Sequence, residues 1–174
     1  EMLEKEKPEI ISVCTNTATH AKIVQETVKH GSSVKAILCE KPLATTPEEA
    51  QAMLKACVEN KIILMVNHSR RFDQTHREAK AFLDAGGLGE IQQASAYYVK
   101  GLANSGSHLL DLLRFFLGEA EWVQAVSSKN LSTLDNDANV DGLIKFKPDK
   151  IHLGVLCGLQ SLDVKAYWMF ELRI

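Results

Sequence analysis

The sequence lacks paired cysteines. Cys14, Cys39, Cys57 and Cys157 are present, but no two of them stand in C-x-x-C spacing. That spacing argues against a zinc site or a disulfide framework. It favours free thiols buried in apolar runs, as in a reducing cytoplasm. An excess of one charge is also missing: 20 Lys and Arg stand against 22 Asp and Glu, a net charge of −2. Near-neutrality leaves no electrostatic reason to expect nucleic acid or an anionic membrane as partner. No apolar run approaches the ~20 residues of a membrane span. The opening "EMLEKEKPE" is too polar and charged for a signal peptide. His68 and His76 have no third group at ligand spacing, so no metal site is expected. Internal repeats and low-complexity segments are absent.

What is present is a soluble, globular composition, 45% hydrophobic and 24% charged over 174 residues. The patterning begins with "IISVCT" (Ile10 to Thr15), a short β-branched run that reads as a buried strand. "NTATHAKIVQETVKHG" follows with Ala18, Ala21, Ile23, Val24 and Val28 at helical spacing and Gly31 as its stop. Asn16 or Thr17 caps this helix, and Thr17 is the expected cap. "VKAILCE" reads as a second buried strand. "TTPEEAQAMLKACVENK" reads as a helix with Thr46 capping, Pro47 in the first turn, and Glu48 and Glu49 favoured by the dipole. "IILMVNH" is a third strand and "DQTHREAKAFLDAGGLG" a third helix, closed at Gly86 and Gly87. Strand alternating with helix three times predicts a small parallel sheet with helices packed on it. Its first edge needs a further cover.

Beyond Gly89 the pattern changes, which places a junction between residues 86 and 90. "EIQQASAYYVK" reads as an edge or half-exposed strand. "SGSHLLDLLRFFLG" reads as a helix with Leu109, Leu112, Leu113, Phe116 and Leu117 along one side. "WVQAVSSK", "VDGLIKFK", "IHLGVLCGLQ" and "AYWMFELRI" alternate and are separated by turn-rich segments, as in an antiparallel sheet.

Four places could carry chemistry. Glu40-Lys41-Pro42 ends an apolar strand in charge, and the carboxyl ends of parallel strands are where α/β proteins bind ligands. Pro42 fixes the turn and could hold a cis bond that aims Lys41; a solvated strand-end lysine is the alternative. His108 and Asp111 share a helical face, with Gly106 allowing close approach and Asn104 one turn earlier. His108 is either a general acid/base or a part-buried histidine with Asp111 as its structural partner. Asn16 and His20, after the first strand, could meet a phosphate or ribose, or serve the helix start. Asn67, Arg70 and Arg71 could hold a ligand's polar and anionic groups, or a salt bridge between domains.

Taken in order, these segments resemble the Gfo/Idh/MocA family (glucose–fructose oxidoreductase, inositol dehydrogenase, MocA) of nicotinamide-dependent oxidoreductases. "PEIISVCTNTATHAKIV" looks like that family's fourth Rossmann strand and its following helix. "CEKPLA" is similar to its E-K-P signature, "VNHSRRFD" to the next strand, and "NSGSHLLDLLRFFLGE" to the helix written D-x-G-x-H-x-x-D. The fold implied is α/β plus α+β: the C-terminal half of a Rossmann-type parallel sheet (1–88), then an open, mainly antiparallel substrate and dimerisation domain (89–174). The resemblance implies NAD or NADP as cofactor and a sugar, polyol or sugar derivative as substrate. It makes Lys41 and His108 catalytic, with Asn104 beside them. Thr15, Asn16, His20, Glu40, Lys41, Pro42, Asn67 and Arg70 line the cofactor side. A homo-oligomer through the open sheet face, with no nucleic-acid or membrane partner, completes the expectation.

Two departures bear on it. Asn104 stands where many members of the family have aspartate, and an amide orients a hydroxyl but takes no proton. That keeps a non-catalytic, dinucleotide- or sugar-binding relative as the alternative. The G-x-G-x-x-G turn is absent, since "GGLG" at Gly86 follows a helix and not a strand. The expectation is therefore a fragment of a longer chain that binds NAD(H) weakly or not at all as it stands.

Overall fold

The structure, a computed structural model, describes residues 1–127, 137–148, 154, 156–161 and 170–174. It packs as two units, Glu1–His68 and Ser69–Ile174.

The first unit opens with a short helix, α1 (Met2–Glu6), that the charged N-terminal sequence does not announce. Then come β1 (Ile10–Val13), α2 (Thr17–His30), β2 (Ala36–Cys39), α3 (Pro47–Glu59) and β3 (Ile63–Val66). The strands form one parallel sheet in the order β1-β2-β3. Val13, Ile37 and Cys39 face the core together with Val24, Met53 and Cys57 of the two helices. Register puts Ile10, Ala36 and Ile63 in one row on the other face, where Ile10 and Ile63 are 70% and 69% exposed.

Local chemistry sets the helix ends. Thr46 caps α3 by accepting from the Glu49 amide at 3.2 Å, and the Glu49 carboxylate accepts from the Thr45 amide at 3.1 Å. This reciprocal pattern satisfies amides that the helix leaves bare. At α2 the cap is Asn16, whose Oδ1 accepts from the Ala18 amide at 3.0 Å, and not Thr17, which is already helical. Gly31 closes α2 by donating to the Thr27 carbonyl at 2.8 Å.

The second unit starts with a 3-10 turn (Ser69–Phe72) and α4 (Gln74–Asp84), capped by Asp73. It continues through β4 (Gln93–Tyr98), a π-helical turn (Gly101–Gly106), α5 (Ser107–Leu117), β5 (Ala120–Ser127), β6 (Val140–Phe146), β7 (Leu156–Ser161) and β8 (Phe170–Arg173). The strand expectations at 128–129, 151–153, 155 and 166–169 fall outside the described residues. Packing and patterning divide the chain at different places, because Leu83 of α4 is buried in the core of this second unit.

The sheet order is β5-β6-β7-β4-β8. β4 is therefore interior and not an edge, and its Ala94, Ala96 and Tyr98 are buried. The sheet is mixed: β4 runs parallel to β7, while the other pairings are antiparallel. Leu109, Leu112, Leu113, Phe116 and Leu117 of α5 are all buried, as their spacing predicts, with Ile144 and Phe146 of β6 in the same core. Of the cysteines, Cys39, Cys57 and Cys157 are buried and all four are free, but Cys14 is exposed, against the expectation of burial. Burial pushes the Cys39 and Cys157 thiols up to about 11, which makes them poor nucleophiles.

Tyr98 is fully buried, and burial pushes its phenol up. Its hydroxyl donates to the Val140 carbonyl at 2.8 Å and accepts from the Val140 amide at 2.6 Å. Tyr98→Phe leaves both backbone groups without that partner. It should lower unfolding free energy by about 1–3 kcal/mol in urea titration; an unchanged midpoint would refute this role.

Candidate functional site

Parallel pairing aligns the carboxyl ends of β1, β2 and β3, so the residues that follow each strand gather at one end of the first unit. After β1 come Thr15 and Asn16, both exposed. The Thr15 hydroxyl lies 2.8 Å from that of Thr19, and the Asn16 side chain is occupied as the cap of α2. After β2 comes Glu40-Lys41-Pro42, and the Lys41–Pro42 peptide bond is cis. After β3 come Asn67 and His68, both half-buried.

Hydrogen bonds brace this turn on two sides. Asn67 Nδ2 donates to Glu40 Oε1 at 2.6 Å, which ties the end of β3 to that of β2. The other carboxylate oxygen accepts from the Lys41 amide at 3.3 Å, and the Glu40 amide donates to the Val13 carbonyl at 2.9 Å. On the second side the His20 ring sits fully buried beneath the turn. Its Nδ1 lies 3.0 Å from the Pro42 carbonyl oxygen and 3.3 Å from that of Leu43. Its Nε2 lies 3.0 Å from the Thr15 carbonyl oxygen. Lys41 is half-buried, between these two anchor points. Thr15, Asn16, His20, Glu40, Lys41, Pro42 and Asn67 thus come together at one end of the first unit, with His20 buried beneath the others.

Arg70 belongs to the second unit, on the 3-10 turn, where burial pulls its guanidinium below its usual value. Its carbonyl accepts from His76 Nδ1 at 2.9 Å. Arg71 Nε donates to both carboxylate oxygens of Asp111, at 2.7 and 2.8 Å, and its guanidinium lies 5.6 Å from the Phe115 ring centroid. This ion pair lies inside the second unit and fixes the 3-10 turn to α5. It joins residues on either side of the 86–90 junction that the patterning marks, within the unit that begins at Ser69.

Asn104 and His108 stand one turn apart, Asn104 in the π-helical turn and His108 in the first turn of α5. Single π-turns inside helices are frequent at functional positions. His108 Nδ1 is shielded from solvent. Asn104 does not cap the helix. Its Nδ2 donates to the Lys100 carbonyl at 3.4 Å.

The capping work falls to residues that sequence reasoning passed over as loop. The Asp137 carboxylate accepts from the Ala103 amide at 2.8 Å and the Asn104 amide at 2.9 Å. Asn139 Oδ1 accepts from the Gly101 amide at 2.9 Å. Gly101 has φ +86°, and a Cβ there would strike the Asp137 carboxylate, so only glycine serves. Gly106 gives a close approach of another kind: a Cβ would lie 3.1 Å from the Tyr98 ring. An acidic, amide-rich loop was the available signal, but its partners lie more than 30 positions earlier in the chain.

No group of three His, Cys, Asp or Glu among the described residues could hold a metal ion, and no helix among them is long and apolar enough to cross a membrane.

A three-stranded parallel sheet with helices between its strands, and polar groups gathered at its carboxyl ends, defines a nucleotide-binding type of α/β unit. Comparison with known proteins agrees. Residues 1–68 match the Gfo/Idh/MocA family, described as an oxidoreductase family with an NAD-binding Rossmann fold. An inositol 2-dehydrogenase of Rhizobium meliloti is 34% identical over 63% of this chain and 36% of its own length. A levoglucosan dehydrogenase of Pseudarthrobacter phenanthrenivorans is 30% identical over 68% of this chain and 35% of its own. The fold matches an inositol dehydrogenase homolog of Azotobacter vinelandii in complex with NADH and myo-inositol. That match has a TM-score of 0.77 at 22% identity and covers 97% of this chain and 49% of that one. The chain belongs to the Gfo/Idh/MocA oxidoreductase family. Its matched part spans about a third of the length of these curated relatives.

The capping geometry makes a direct prediction. Asp137→Ala should lower the stability of the second unit by about 1–2 kcal/mol, while Asp137→Asn, which keeps one acceptor, should retain most of it. Thermal unfolding reads the difference, and equal loss in both variants would contradict it.

Proposed function

We propose that the protein is an NAD- or NADP-dependent oxidoreductase that transfers a hydride between nicotinamide and a hydroxyl carbon of a sugar, polyol or sugar derivative. The observation that carries this reading is the braced Glu40-Lys41-Pro42 turn at the carboxyl end of the parallel sheet. The relatives named inositol 2-dehydrogenase and levoglucosan dehydrogenase support the substrate class.

The residues at that end suit a nicotinamide ribose. Thr15 and Asn16 are exposed, and Lys41 and Asn67 are half-buried, so this end offers the hydroxyl, amide and ammonium chemistry that can partner hydroxyls and a carboxamide. Bound nicotinamide supplies the hydride acceptor. Thr15, Asn16, Glu40, Pro42, Asn67 and Arg70 line the cofactor side, with His20 behind them. Lys41 hydrogen-bonds the substrate hydroxyl and lowers the free energy needed to deprotonate it. His108 takes that proton, or returns it in the reverse direction. Asn104 orients the substrate hydroxyl without exchanging a proton. Residues 1–88 act as the dinucleotide-binding part and 89–174 as the substrate and assembly part.

Two apolar surfaces fit this assignment. The outer face of the first sheet, with Ile10 and Ile63 bare, suits a covering layer of helix, because parallel sheets bury both faces under helices. In the second unit Trp122, Val126 and Leu143 share the sheet face opposite Ile144 and are 44%, 64% and 41% exposed. That face suits a second copy of the protein.

In the full-length protein, Lys41→Ala should lower turnover by ~100-fold or more, the typical effect of losing a positioned acid/base or orienting group. His108→Ala should fall as far while cofactor affinity barely moves. Steady-state kinetics with a panel of polyols and sugars checks both; a change of only a few-fold in either variant contradicts its role. Asn104→Asp should keep or raise activity, and complete inactivation would contradict the orienting role.

A further inference from the structure

His20 does more than fill space. It is fully buried in the first turn of α2, and each of its ring nitrogens faces backbone carbonyl oxygens. A carbonyl oxygen only accepts, so the ring is the donor at whichever edge holds a proton. Those carbonyls belong to two turns, not one. Thr15 follows β1, and Pro42 and Leu43 follow β2. The ring therefore bridges the ends of two neighbouring strands from below. Pro42 is the residue next to Lys41, and on the other side of Lys41 the Glu40 carboxylate is held by Asn67 at 2.6 Å. The backbone of Lys41 is thus pinned at the residue before it and at the residue after it. A core histidine with a purely structural task needs partners, but they need not include the residue that directly follows a strand-end lysine.

We propose that His20 is a positioning residue that acts through Lys41. Its ring fixes the 40–43 turn and so the direction of the lysine side chain, and it does not itself touch cofactor or substrate. The reading of Lys41 as the substrate-hydroxyl partner is the one on which the kinetic part rests. The geometry has a plain consequence for catalysis: a displacement of about 1 Å in a reacting group can lower the rate by roughly 100-fold, even when it originates outside the chemistry.

The test is a double-mutant cycle in the full-length protein combined with hydrogen exchange. His20→Leu removes both ring nitrogens at similar volume, and His20→Asn keeps a donor near the Nδ1 position. His20→Leu should lower kcat by about 10- to 100-fold with little change in cofactor KM, and His20→Asn should recover most of it. With Lys41→Ala already in place, His20→Leu should lower kcat by less than about two-fold, because groups that act as a unit are not additive. In the single variant His20→Leu the Glu40 and Lys41 amides should exchange at least about ten-fold faster, while amides inside the three strands keep their protection. Full additivity in the cycle overturns the proposal, as does unchanged exchange at Glu40 and Lys41. If Lys41→Ala alone leaves turnover intact, the functional reading of Lys41 fails instead, and exchange decides whether His20 holds the turn. If His20→Leu does not fold, His20→Asn and His20→Gln carry the same cycle and the same exchange measurement.

Discussion

Parallel pairing of β1, β2 and β3 is the constraint on which the first unit's chemistry depends. Antiparallel neighbours would send successive strand ends to opposite edges of the sheet. Parallel ones deliver Thr15, Lys41 and Asn67 to the same edge, from segments far apart in sequence. The pairing requires crossover helices, and α2 and α3 supply them. With the strand ends aligned, a single carboxylate, Glu40, can reach Asn67, and a single ring, His20, can reach two turns. The charged end of an otherwise apolar strand is then a braced platform, not a frayed terminus.

The second unit reaches its order by a different route. Its helix is anchored at the beginning by side chains from a distant loop, Asp137 and Asn139, and along its length by five buried apolar residues of α5. The π-helical turn leaves its first amides exposed to any acceptor nearby, and an acidic side chain is favoured at a helix start. Asn104 therefore has its backbone held by Asp137, which leaves its position less dependent on its own side chain. Arg71 adds a further tie, since its pair with Asp111 joins the 3-10 turn to α5 across the unit. Asp111 is thus held by Arg71, a partner that the sequence reading did not assign to it.

Much of this was legible in the sequence where the cause is local. Thr46 and Pro47 announce the start of α3, Gly31 the end of α2, and the leucines of α5 its buried face. The Glu40-Lys41-Pro42 turn and the alternation of strand and helix point to the right fold class. What failed depends on distant partners. β4 reads as an edge or half-exposed strand; its burial does alternate, yet β7 and β8 flank it, so it is not an edge. Its parallel pairing with β7 is set by chain routing, which periodicity does not encode. Thr17 and Asn16 are both competent caps, and only backbone conformation selects Asn16. Asp137 and His20 act on turns that are non-adjacent in the chain, so their residue types were visible and their tasks were not.

The proposal depends first on a nicotinamide cofactor being held at the carboxyl ends of β1, β2 and β3. Titration of the full-length protein with NADH and with NADPH, followed by nicotinamide fluorescence, tests it most directly. Saturable binding of at least one of the two in the micromolar range is the expected result. No saturable change with either nucleotide would contradict it.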